Sequence, residues 1–107
     1  MEIEEETILD EIIVRLGHSP MTHIFAHNMF EELHLAMKER YNDLWEDRLK
    51  TICAVICYWM ASNITEKNKM TSKDVNAILD SSFSDDDLQS LRLLIAKYLN
   101  YNLLDHL

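Results

Sequence analysis

Four side chains in one stretch have the types and the spacing to bind a metal: His23, His27, Glu31 and His34. On a helix they occupy positions i, i+4, i+8 and i+11, and at 100° per residue all four fall within about 80° of arc. Imidazole nitrogen and carboxylate oxygen are ordinary ligands for zinc and iron. The fragments His27-x3-Glu31 and Glu31-x2-His34 each match part of a bundle-type iron site, the second being one half of a carboxylate di-iron motif. A complete site needs a second such motif. The remaining histidines, His18 and His106, have Arg15 and Leu103 three residues before them, so neither supplies one. The expectation is no metal and no cofactor, with the histidines forming a polar boundary strip. A metal-binding helical bundle using His23, His27, Glu31 and His34 is the competing reading, and a pH-responsive partner strip is a third.

Nucleophilic chemistry finds less support. Cys53 and Cys57 lie four apart in an uncharged apolar run, where a helix puts both thiols on one buried face. A nucleophile needs a base within hydrogen-bond reach and an oxyanion hole. Ser62, Ser72, Ser81, Ser82, Ser84 and Ser90 have no such motif around them. Gly17 is the single glycine of the chain, so a glycine-rich phosphate loop is excluded. The expectation is a protein that is not an enzyme.

Carboxylates form the other candidate sites. Glu39, Asp43, Glu46 and Asp47 make one acidic patch, and Asp85, Asp86 and Asp87 make another. Such patches can engage an arginine-rich or otherwise basic protein partner. The second patch opens a helix that, with the short helix before it, has the outline of a helix-turn-helix. A recognition helix presents basic and amide groups to DNA, and three aspartates would be repelled.

The whole composition agrees. Of 107 residues, 19 are acidic and 10 basic, for a formal charge of -9, and 48% are hydrophobic. The length fits one domain, residues 1–107. The acidic balance and the scattered cations exclude the usual footprint for direct nucleic-acid or anionic-membrane binding. The start, Met1-Glu2-Ile3-Glu4-Glu5-Glu6, is acidic where a signal peptide is basic. The longest apolar run, Ile52 to Ala61, is far short of the ~20 residues that span a bilayer. A cytoplasmic location is expected.

One glycine and one proline are too few for the turns of a β-fold. The elements that must position these side chains are therefore helices, in an all-α bundle of about five: residues 3–16, 20–41, 44–65, 72–80 and 85–103. Ile8, Leu9, Ile12, Ile13 and Leu16 form the apolar stripe of the first, and Gly17 is its expected left-handed end. Ser19 and Pro20 read as N-cap and first position of the second. Its apolar face is Ala26, Met29, Phe30, Leu33, Met37, Tyr41 and Leu44. A break is expected at Asn42-Asp43, with Asp43 capping the third helix and Glu46 in a capping-box position. That third helix, uncharged from Thr51 to Ala61, reads as the central one. Thr71 with Asp74 caps the fourth, and Ser84 caps the fifth. The fifth presents Leu88, Leu91, Leu94, Ile95, Tyr98 and Leu99 as its apolar face.

Size, charge and missing chemistry together imply a small acidic inhibitor or antagonist. It would occlude a basic surface of a nuclease, toxin or nucleic-acid-handling complex, by analogy with immunity proteins and phage-encoded inhibitors. The alternative is a homodimeric helical adaptor or regulatory subunit with Trp45, Trp59 and Met60 in its seam.

Overall fold

The computed structural model describes residues 5–99, with side chains from residue 9 onward. Five α-helices follow one another: α1 (Glu5–Leu16), α2 (Pro20–Arg40), α3 (Asp47–Thr65), α4 (Ser72–Leu79) and α5 (Asp85–Leu99), with a 3-10 turn at Asn42–Leu44 between α2 and α3. No strand occurs among the described residues. The fold is the expected all-α bundle. The outer ends of the first and last expected helices, residues 3–4 and 100–103, lie outside the described residues.

α3 is the axis of the bundle. Its uncharged middle is buried without interruption from Cys53 to Ser62, and α1, α2, α4 and α5 all pack against it. A helix apolar all round is stable only when covered all round, and four neighbours supply that cover. α2 lies alongside α3 and also meets α1 and α5. It contributes Ala26, Met29, Phe30 and Leu33 to the core, and α1 contributes Leu9 and Ile12.

The helix ends follow from identifiable residues. Gly17 adopts φ +67°, and its N–H and that of His18 both donate to the Ile13 carbonyl, at 2.9 and 3.2 Å. Thr71 and Asp74 form a complete capping box at the start of α4. The Asp87 N–H donates to Ser84 Oγ at 3.1 Å, which makes Ser84 the cap of α5. Asp80 ends α4 in the left-handed region, at φ 51° and ψ 53°. The Asn76 side chain then braces the next turn: its Oδ1 accepts from Ser81 Oγ at 2.9 Å and from the Phe83 N–H at 3.0 Å, and its Nδ2 donates to the Phe83 carbonyl at 2.9 Å.

Three expectations are corrected. The break between α2 and α3 exists, but Asp43 lies within the 3-10 turn and the N-cap of α3 is Glu46, whose side chain makes no capping bond. The turn intervenes because Trp45 is drawn inward (6% exposed) against α2. Its indole N–H donates to His34 Nδ1 at 2.8 Å. Ser19 is the N-cap of α2 but its hydroxyl does not cap the helix; it donates to Glu66 instead. Finally, Tyr41, Leu44 and Leu94 are exposed rather than part of the core. Tyr41 and Leu44 follow the end of α2, so they leave its apolar stripe. Leu94 lies to one side of the Leu88–Ile95–Leu99 line that faces α3 and α2.

Candidate functional site

The histidine strip disperses into three environments. His23 Nε2 stands 3.1 Å from Asp10 Oδ1 of α1. His27 is half-buried and Glu31 is exposed. His34 stacks with Phe30 and spends its Nδ1 lone pair on the Trp45 indole. From His23 to His34 the rise along one helix is about 16 Å, so a single ion cannot reach across the strip. Among the described residues, no group of three or more His, Cys, Asp or Glu side chains is gathered closely enough to hold a metal ion. His106 lies outside the described residues.

Both cysteines are buried in α3. Burial pushes the Cys53 thiol up to about 12, so it stays protonated at neutral pH and is no nucleophile. Trp45, Trp59 and Met60, named above for an adaptor seam, are buried within the single chain. They present no surface to a second one. Trp59 also carries the Arg92 guanidinium, 4.6 Å from its ring centroid. Arg92 Nη2 donates to Gln89 Oε1 at 2.7 Å, and burial lowers the pKa of the group.

A dense polar constellation among the described residues lies outside all of these candidates. His18, next to the end of α1, is 9% exposed, and Tyr58 of α3 is 0% exposed. Their rings stack at 5.7 Å with 5° between planes. His18 Nε2 lies 2.6 Å from the Asn68 carbonyl, which can only accept, so this nitrogen carries the proton. His18 Nδ1, 2.9 Å from Tyr58 Oη, then accepts from the phenol. Burial first, and the nearby Glu66 charge second, push the Tyr58 pKa up. Beside this pair, the Glu66 carboxylate accepts from the Ser19 N–H at 2.9 Å, from the Ser19 hydroxyl at 3.0 Å and from the Thr22 hydroxyl. The hydroxyl of Thr65 is 2.6 Å from that of Thr22. The Thr22 bond, then the Ser19 N–H, lower the Glu66 pKa below the usual carboxylate value, and the Ser19 hydroxyl adds a smaller effect.

This constellation locks two connections together, that between α1 and α2 and that between α3 and α4. Glu66 acts as a capping carboxylate for α2 delivered from 47 residues away from Ser19. The first N–H groups of a helix need acceptors and its positive end favours an anion. His18 and Tyr58 are closed to solvent, so they offer no open side to a substrate. One local signal existed: a serine, a proline and no acid three residues after the serine mean that the Ser19 N–H must find its acceptor elsewhere.

The seven patch carboxylates are all exposed, and none of them forms an ion pair with another described residue. The two patches do not merge. Tyr98, near the end of α5, donates to the Tyr41 hydroxyl at 3.0 Å, which places Asp43 at that end of the helix. Asp85–Asp87 open the same helix, about 17–20 Å away along its axis. The patches also differ in field. Glu39, Asp43, Glu46 and Asp47 alternate with Lys38, Arg40, Arg48 and Lys50, so residues 38–50 are neutral in sum. No cation occurs between Asp80 and Asp87.

No family model, no curated protein and no solved structure matches this chain. No helix among the described residues is long and apolar enough to cross a membrane.

Proposed function

We propose that the protein is a non-catalytic acidic binding module, an inhibitor or antagonist that covers a basic surface on a protein partner. A nuclease, a toxin or a nucleic-acid-handling complex supplies such a surface, since each carries cations to hold phosphate. The observation that carries the reading is the set of exposed carboxylates on helix starts with no ion-pair partner among the described residues, above all Asp85, Asp86 and Asp87. A carboxylate already paired within the chain must break that pair to bind a partner, whereas these need lose only water. The first turn of α5 holds all three on a rigid element, capped by Ser84. Glu39, Asp43, Glu46 and Asp47 form a second contact of mixed charge, suited to register more than to attraction.

The test is the association rate with a partner recovered from the native host. Opposite charges steer encounter, so the rate should fall several-fold as ionic strength passes about 0.1–0.15 M, where the Debye length is roughly 8–10 Å. Replacing Asp85, Asp86 and Asp87 by Asn should lower the rate more than Glu46→Lys with Asp47→Lys does. A rate indifferent to salt and to the triple substitution would remove the electrostatic reading.

A further inference from the structure

α5 carries a partly exposed stripe that no other described helix fully covers. Leu94 is 51% exposed and sits where two adjoining hollows meet. One is lined by Ala36, Arg40, Lys97 and Tyr98 together with Leu94. The other is lined by Phe83, Asp87, Ser90 and Leu91 together with Leu94. The stripe therefore runs from an anion at its start, Asp87, through Leu91 and Leu94, to cations at its end, Lys97 and Arg40. Asp87 and Lys97 are ten residues apart in sequence, about 15 Å along the helix.

This order is complementary to itself when reversed. We propose that the α5 stripe is the interface of a two-fold symmetric homodimer, with the second copy's α5 lying antiparallel across it. An axis between residues 92 and 93 brings Leu91 against the second copy's Leu94 and the converse. The same axis brings Asp87 beside the second copy's Lys97 and Tyr98, twice over. An isologous interface requires each patch to match itself under the two-fold operation, and a stripe that is acidic, apolar and basic in that order does so. A second exposed apolar set, Met21, Ile24 and Leu35 on α2, fails this condition, since reversal about Asn28 sets Ile24 against Glu31 and Glu32. Asp85 points away from the α5 stripe at 100° per residue, whereas Asp86 lies about 20° from Lys97 and Asp87 is the stripe's own anion. Dimerisation thus engages Asp87, which the partner reading above also uses, and it is tested with no partner present.

Sedimentation velocity on the purified chain, with no partner present, decides the matter. A single helix face belongs to the small class of interfaces, below about 1,200 Å², so dissociation constants on the order of tens of micromolar are expected. The sedimenting mass should rise from 12.6 kDa toward twice that value as concentration increases. Leu94→Asp should hold the protein monomeric with an unchanged helical circular dichroism spectrum. Asp87→Lys alone and Lys97→Asp alone should each weaken the dimer about five-fold or more, since each sets like charges together. The double exchange should restore wild-type association. A monomer at all concentrations, a dimer untouched by Leu94→Asp, a dimer abolished by Leu35→Asp, or a double exchange no better than the single ones would each overturn the proposal.

Discussion

Glu66 shows how one carboxylate can fasten a fold. It follows the last residue of α3 directly, yet its oxygens serve the first turn of α2, where Ser19 and Thr22 donate to it. These bonds favour the charged form, so the folded-state pKa lies below the reference 4.5. A depressed carboxylate pKa contributes stability that is present above the unfolded-state value and lost as pH falls through the folded-state value. Replacing Glu66 by Gln keeps the shape and removes the charge. The melting temperature of the wild type should exceed that of Glu66→Gln at neutral pH, and the gap should close as pH falls from the unfolded-state value through the lower folded-state one. Parallel curves over that acid range would mean that the carboxylate is no better placed in the folded protein than in the unfolded one.

At the scale of elements, the α4–α5 turn is built from three residues with separate tasks. Ser84 accepts from the Asp87 N–H, so Ser84→Ala should destabilise the protein by about 1 kcal/mol in urea titration. Asp80 ends α4 at φ 51°, a conformation that crowds the Cβ of an L residue against its neighbouring carbonyl. Its side chain is exposed. Asp80→Gly should therefore stabilise by about 0.5–1 kcal/mol, as the left-handed conformation carries no such cost without a Cβ. An unchanged urea midpoint would show that the aspartate at this position already bears no strain. Asn76 makes the third contribution by holding both the N–H and the carbonyl of Phe83.

At the scale of the molecule, stability rests on the burial of α3. Leu33 of α2 is buried against that core, whereas Leu35, two residues on, is exposed on the outer face. Leu33→Ala leaves a cavity among close-packed neighbours and should cost about 2–5 kcal/mol. Leu35→Ala should change stability by no more than about 0.5 kcal/mol. Chemical denaturation of the two variants tests whether α2 meets the core in this register, since a rotation of α2 would even out or reverse the two effects. The charge distribution is also a property of the whole chain. The patch at residues 38–50 is balanced by its own cations, so the net charge of -9 is not seated there. It is weighted toward the first third of the chain, with a second centre at the start of α5.

Local chemistry alone determined the helices and most of their ends. The scarcity of glycine and proline, the uncharged Thr51–Ala61 run, Gly17 after the first stripe, Thr71 with Asp74, and Ser84 before three aspartates each act within a few residues, so each is legible in order along the chain. What acts across the chain was not. Asp43 looked like a cap because the residues around it fit one, but the seating of Trp45 on His34 imposed a 3-10 turn first. Leu94 looked like core because its spacing is helical, yet a helix facing two neighbours buries only the arc they cover. The histidines kept their spacing and lost their common purpose, since Asp10 of α1 and Trp45 took two of them for separate contacts. The His18–Tyr58 pair joins residues 40 apart and the Ser19–Glu66 bond residues 47 apart. Side chains that far apart become partners only when packing brings their helices together, so the tertiary structure alone decided which polar groups would be buried as a lock and which left open to a partner.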